Sequence, residues 1–305
     1  MARRQNRFNT IRPATNVLFN GIMVLGALVV VIPMILVICV SFSTDASITY
    51  RGYTFIPEQW SVDGYKYLFK MGDQVLASFL ITLFITVVGT LMSLIVMTMY
   101  AYVIAQRTFR ARRFLTYFLF FTMLFSGGLV SSYMLNVRYL HLDDTVWIFL
   151  LPSLVGAYHV IILRTFLLTT IPDSLIEAGR IDGAGHFRIF AQIVIPLFKA
   201  GIATIGLFNV VTRWNDWFVG MLYINRDMRL VPLQTLLYKI QNTIDFLKQN
   251  TQAAGTPDGV AMLRALPSLS LRMACMVIIT VPILVAYPFF QRYFVSGLTI
   301  GSVKG

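Results

Sequence analysis

The chain has 305 residues, of which 57% are hydrophobic and 12% charged, and its mean hydropathy is +0.73. Soluble domains carry about 25% charged residues, so a soluble globular enzyme, a disordered chain and a coiled coil are excluded and a polytopic helical membrane protein is left. The net charge of +12 would suggest nucleic acid for a soluble protein; for a membrane protein it suggests basic loops on the cytoplasmic side, and no nucleic-acid partner is expected.

A basic tail, residues 1–15, opens the chain with Arg3, Arg4, Arg7 and Arg12. Six apolar segments follow, at about 16–42, 75–104, 114–134, 145–168, 198–223 and 268–290. Each reaches roughly 20 residues or more, enough at 1.5 Å per residue to cross a hydrocarbon core of ~30 Å. The first is too long for a signal-peptide core and has no clear cleavage site, so it is read as a spanning helix. The expected fold is all-α: a six-helix transmembrane domain over 16–290 and a tail over 291–305.

Charge sets the orientation. With both termini inside, the inner pieces hold 12 basic residues and the outer loops nine, the sense that the positive-inside rule favours. The strongest single signal is the purely basic loop 107–113, RTFRARR. Two outer loops are long, 43–74 and 224–267. In the second, Leu233, Leu236, Leu237, Ile240, Ile244 and Leu247 recur every three or four residues, which is one helix face. The stretch QAAGTPDG after it suits a loop.

The inner loop 169–197 differs from the others. Pro172 and Asp173 suit a helix start, Glu177-Ala178-Gly179 follows, and then Asp182-Gly183-Ala184-Gly185 precedes an apolar run ending at Pro196. The small residues permit close approach and the glycines a sharp turn. The pattern predicts a short helix, a turn and a second helix leading into segment five.

The spanning segments are nearly bare of ionisable groups. Arg164 and Arg272 lie near segment ends and can snorkel to water. Arg213-Trp214-Asn215-Asp216-Trp217 in segment five is the exception, and an arginine and an aspartate three apart can pair locally. No chain of acids or histidines suits a proton relay, and no glycine-rich loop with Lys-Ser/Thr cradles phosphate. Active transport would therefore draw its energy from a partner docked on the inner face. Cys39 and Cys275 fall in apolar stretches and read as small hydrophobes, and the three histidines form no metal-ligand cluster.

The string EAGRIDGAGHFRIFAQIVIPLFKA, residues 177–200, closely resembles the EAA motif of ABC-importer permeases. Glu177, Ala178, Gly183, Ile193 and Pro196 match its core, and Gly179 stands where the motif has its second alanine. LRTFLLTTIP (163–172), RWNDWF (213–218) and YPFFQRYFVSGLTIGSVKG (287–305) extend the likeness over nearly the whole chain, which resembles the carbohydrate permeases related to the maltose system. FSGGLVSSY (125–133) and PLQTLL (232–237) are similar to the subfamily importing oligosaccharides from polysaccharide breakdown, the smaller permease of alginate importers included.

The resemblance implies an ABC type I importer permease in the bacterial cytoplasmic membrane. It implies a second homologous permease, two ATPase subunits carrying ATP and Mg, an extracytoplasmic solute-binding protein and an oligosaccharide substrate. No cofactor is expected on this chain and no catalytic residue. Glu177, Ala178, Gly179, Asp182, Gly183, Ala184 and Gly185 would couple to the ATPase; Arg213, Trp214, Asn215, Asp216 and Trp217 would face the sugar path or the partner permease. A passive channel, a membrane-embedded enzyme and a permease for a non-sugar solute are the competing classes. The first needs no docking motif, and the second needs clustered acids or histidines that the sequence lacks.

Overall fold

The computed structural model describes residues 13–249 and 268–301. The basic residues 1–12, the QAAGTPDG loop and the last four residues with Lys304 lie outside them. In chain order the helices are α1 (Pro13–Ser41), α2 (Asp45–Arg51), α3 (Asp63–Lys70), α4 (Gly72–Ala105), α5 (Arg112–Leu124), α6 (Gly128–Met134), α7 (Trp147–Leu150) and α8 (Ala157–Thr170). Then come α9 (Asp173–Ile181), α10 (His186–Ile189), α11 (Ile195–Leu197), α12 (Lys199–Trp214), α13 (Phe218–Tyr223), α14 (Leu233–Gln249) and α15 (Ser268–Gly301). Wider π turns carry α6 on to Tyr139 and join α10 to α11. Among the described residues the only β pairing is an isolated bridge between Ser43 and Trp60.

The chain divides into two compact units, one of Met1–Lys70 with Leu247–Ile278, the other of Met71–Phe246 with Ile279–Gly305. In the first, α1 is long and apolar and exposed over most of its length, with Val17 and Met23 more than 70% exposed and only Val40 and Ser41 buried at its end. Asp45, at the start of α2, accepts the backbone N–H groups of Leu269 and Ser270 and the Ser270 hydroxyl. It thereby caps the start of α15, whose first-turn donors have no intrahelical partner. Gly64 of α3 lies so close to the Ser270 backbone that a Cβ would stand 2.9 Å away.

The second unit is organised around α4, a helix of 34 residues with no internal proline. Ser78, Thr82, Ile85, Gly89, Ser93, Met97, Ala101 and Ile104 are buried along it. They recur every three or four residues and form one stripe. Most are small, and small residues let helices approach closely where no hydrophobic force between helices operates. Against its C-terminal end pack Val160, Leu163 and Leu167 of α8, with Ile189, Val194 and Phe198. Against its N-terminal half pack Phe149, Tyr223, Ile224, Val231 and Leu236.

α1, α4 and residues 269–289 of α15 are individually long and apolar enough to cross a membrane, and three bent helix pairs raise the number to six if each pair crosses once. Segments three to five are therefore not the straight helices expected. α5 and α6 meet at 112°, where Gly128 adopts φ +79°. Segment four stops after Leu150 and restarts at Ala157, beyond Pro152 and Gly156. The chain turns by 79° into α12 at Phe198. That ring is fully buried against Phe166, and it fits because Gly201 has no Cβ, which would stand 2.6 Å from the ring. The last helix also runs on to Gly301, past the expected end at 290.

The amphipathic helix foreseen in the 224–267 loop is α14. Leu233, Leu236, Leu237 and Ile244 are buried on the expected face. Leu236 belongs to the cluster of Phe149, Tyr223 and Val231, and Ile240 packs against it.

Candidate functional site

The 169–197 loop folds as an elbow. Pro172 disfavours a helical conformation at the residue before it, and Ile171 is accordingly extended, at φ −109° and ψ 110°. α8 ends there and α9 leaves at 76°. At its far end α9 closes in a Schellman motif: the Ala184 N–H donates to Gly179 O at 2.9 Å and the Gly183 N–H to Arg180 O at 3.0 Å. Gly183 holds the left-handed position that this motif requires, at φ +76°. No atom lies within 4 Å of where its Cβ would stand. The constraint at this turn is therefore backbone conformation and not the space around a Cβ.

Gly179 has a different role. It is buried, and a Cβ there would meet Ile193 Cδ1 at 3.1 Å and Ile189 Cγ1 at 3.3 Å. The glycine that replaces the motif's second alanine lets α9 settle against the helix following the turn. Ala184 packs beside it on the inner core.

The back of α9 is tied to the inner end of α4. Arg180 Nη2 donates to Gln106 Oε1 at 3.0 Å, and Arg107 meets Asp173 at 3.1 Å. A cavity of about 150 Å³ lies beneath, lined by Tyr102, Gln106, Arg107, Asp173, Glu177 and Arg180. Glu177 is exposed at the edge of that cavity, and Ala178, Asp182, Gly183 and Gly185 are exposed as well. Ile181 is 86% exposed and Phe187 76%. Two bare apolar side chains flanking an acidic helix end form a knob, held from behind and offered in front.

The second predicted cluster divides. Arg213 and Trp214 are buried. Arg213 Nη1 donates to Phe149 O at 2.7 Å, and Nη2 to Ser93 Oγ at 2.7 Å and Ser153 O at 3.0 Å. The break in segment four frees carbonyls that the membrane interior cannot hydrate, and this guanidinium satisfies them together with the Ser153 and Ser93 hydroxyls. Gly89 makes room for it: a Cβ there would stand 2.6 Å from Arg213 Nη1. Arg213 makes no ion pair with Asp216, whose carboxylate instead accepts the Phe218 and Val219 N–H groups and caps α13. The Trp214 indole N–H donates to Ile279 O at 3.1 Å.

Asn215 and Trp217 stay exposed beside α14. Gln234 donates to Asn215, Thr235 donates to the Trp217 carbonyl, and Trp217 stacks on Tyr238 at 4.2 Å between ring centres. The sequence reading missed Gly89 and Ser93, although the stripe of small residues on α4 was the signal that could have found them.

Asp144 was also unforeseen. Its Oδ1 accepts the backbone N–H groups of Asn225 and Arg226, both at 2.8 Å, pinning the chain that leads from α13 to α14. The Arg226 N–H foremost holds the Asp144 carboxyl below the usual carboxylate range, helped by the amides of Asn225 and Asp227 and by the Arg226 charge, against a smaller effect of desolvation.

No protein-family model matches the chain. It is 36% identical over 292 residues to the polygalacturonan/rhamnogalacturonan transport system permease protein YtcP of Bacillus subtilis (strain 168), covering 95% of this chain and 98% of that one. It is 38% identical over 291 residues to protein LplC of the same organism, covering 95% and 94%. Among solved structures it is similar to a chain of a bacterial ABC transporter that imports the acidic polysaccharide alginate, with a TM-score of 0.75 and 29% identity over 95% of this chain and 99% of that one.

Proposed function

The chain belongs to the permease proteins of carbohydrate ABC transporters, and from that premise we propose that it forms half of an oligosaccharide path and couples that path to a separate ATPase through the α9 elbow. It is a transport subunit and not an enzyme. The observation that carries the coupling role is the two-sided geometry of α9. Its back is fixed to α4 by Arg180–Gln106 and Arg107–Asp173, with Glu177 exposed at the edge of the cavity there, while Ile181, Asp182 and Phe187 are exposed at its far end.

A cleft in an ATPase subunit would take the apolar knob and pair a basic group with Glu177. ATP and Mg would be bound by that subunit. Closure of two such ATPases would move α9 as a rigid body and, with it, the inner end of α4. A second, homologous permease would complete the path, and a binding protein outside would deliver the sugar. Substrates of the class named for the relatives, fragments of acidic plant or algal polysaccharides, fit this reading. Within this chain Trp217 on Tyr238 offers the one exposed aromatic face of the predicted path cluster. Arg213 is already engaged by carbonyls.

The test is co-purification. The tagged chain, expressed with a homologous permease and an ATPase subunit of the same source, should retain both. ATP hydrolysis should rise when a binding protein loaded with oligogalacturonate or oligoalginate is added. Retention of neither subunit, or hydrolysis indifferent to every oligosaccharide in the panel, would remove the assignment.

We further propose six crossings in the bacterial cytoplasmic membrane with both termini inside. A reporter fused after Lys304 should report the cytoplasm, and one inserted near Thr251 the exterior. Both on one side would end that topology.

A further inference from the structure

α5 and α6, carried on to Tyr139, are together long and apolar enough to cross a membrane, yet the joint between them is bare. The carbonyls of Thr122, Met123 and Leu124 and the N–H groups of Ser126 and Gly127 have no hydrogen-bond partner among the described residues. Ser126, Gly127 and Gly128 are all exposed. Counted from Arg112 and Arg113 at the start of α5, the joint is about 18 Å of helix away, short of the ~30 Å that a crossing needs. Lipid cannot answer these groups, and backbone that leaves its helix at membrane depth lies against protein or water.

The surroundings of the joint favour water. Before it, Phe121 and Phe125 stack at 4.7 Å between ring centres and are 56% and 65% exposed. After it, Tyr133 and Val137 pack on the cluster of Phe149 and Tyr223, and the buried Asn136 donates to the Tyr223 hydroxyl. Ser131, Ser132, Leu135, Arg138 and Tyr139 remain exposed. Arg138 makes neither an ion pair nor a hydrogen bond among the described residues. A helix of a second permease would bring a backbone already bonded within itself, and would leave the joint and the guanidinium unanswered. A hydroxylated, acidic ligand answers both. Its rings can stack on the two phenylalanines, its hydroxyls can pair with the bare backbone and the serines, and a guanidinium takes a carboxylate at two points. About 15 Å of helix separates Gly128 from Arg138, a span for an oligosaccharide and not for one sugar ring.

Resting on the permease role proposed above, we infer that this broken third segment is the chain's sugar-binding wall and that it takes an oligosaccharide of uronic acids. Phe121 and Phe125 lie against its rings, the backbone of Ser126 and Gly127 and the Ser131 hydroxyl hold its hydroxyls, and Arg138 holds a carboxylate.

The assembled importer in lipid nanodiscs, open to solution on both faces, tests this. It carries Cys39→Ala and Cys275→Ala and one further change: Ser126→Cys, Ser131→Cys, or Val24→Cys on the exposed apolar α1. A charged methanethiosulfonate should label the first two and spare the third. Tetragalacturonate should slow that labelling, and neutral maltotetraose should not. Arg138→Gln should leave labelling without sugar unchanged and raise the tetragalacturonate needed for protection about tenfold or more, the equivalent of one charged hydrogen bond. Arg138→Lys should recover part of the loss. Failure to label both serine positions would mean that protein or lipid covers the joint, and would overturn the inference. So would labelling that tetragalacturonate does not slow, equal protection by the two sugars, or protection that Arg138→Gln leaves intact. ATP hydrolysis with a loaded binding protein, measured on the same discs, separates the two readings. Stimulation without protection removes only this wall, whereas no stimulation by any oligosaccharide removes the sugar-permease role and the wall with it.

Discussion

Arg213→Met is expected to destabilise the folded chain by about 3 kcal/mol or more and to abolish transport. The guanidinium makes three hydrogen bonds inside the membrane domain, two of them to the carbonyls of Phe149 and Ser153. A hydrogen bond to a charged group contributes about 1.5–3 kcal/mol, and the two carbonyls would keep only the neutral Ser153 and Ser93 hydroxyls as donors. Methionine keeps the volume and loses every donor. Arg213→Lys keeps the charge as a single point and should recover only part of the loss.

Gly89 supplies the control. Gly89→Ala puts a Cβ where Arg213 Nη1 and Cζ now lie, 2.6 and 2.8 Å away. It should destabilise the chain when Arg213 is present and have little effect with Arg213→Ala. Equilibrium unfolding of the four proteins in mild detergent closes the cycle. Additive effects, or a wild-type-like Arg213→Met, would show that the guanidinium does not organise the break in segment four.

The second large effect is expected at the elbow. Glu177→Ala should leave insertion and folding unchanged, because an exposed carboxylate on a short helix is worth within about 0.5 kcal/mol. In the assembled importer the same change should weaken ATPase retention by roughly tenfold to a hundredfold, the equivalent of a charged hydrogen bond. Gly183→Val acts through the backbone. It has space for its side chain, but φ +76° costs a residue with a Cβ about 1–2 kcal/mol, so the Schellman closure should loosen and misdirect Ile181 and Phe187. Both variants should reach the membrane at normal abundance and lose sugar-stimulated hydrolysis. Normal ATPase retention and normal stimulation in both would exclude the elbow as the joint.

Much of this architecture was readable in the sequence, and for identifiable reasons. Long apolar runs give spans because backbone groups in lipid must bond within the helix. α14 followed from its period, and the elbow from Pro172, Gly183 and the apolar run after them. What escaped was tertiary. Arg213 and Asp216 have the spacing of a local pair, but the breaks nearby offered each a better partner: the carbonyls of Phe149 and Ser153 for one, the first amides of α13 for the other. The break in segment four falls inside the apolar stretch LLPSLVGA (150–157), so an apolar count reads through it. At Gly183 and Gly179 the residue type was informative but the reason was not. One glycine answers to its dihedral angle and the other to its neighbours, and only geometry separates the two.

The unbroken course of α4 makes phase a constraint. Ser93 meets Arg213 and Gln106 meets Arg180, on one continuous helix and about 20 Å apart along its axis. At 3.6 residues per turn, one added or deleted residue between them swings everything beyond it by about 100°. Either Ser93 or Gln106 would then turn away from its partner, whatever residue was inserted. The loops of this chain can vary in length, whereas residues 93–106 behave like a gear of fixed tooth number that tolerates substitution and rejects insertion.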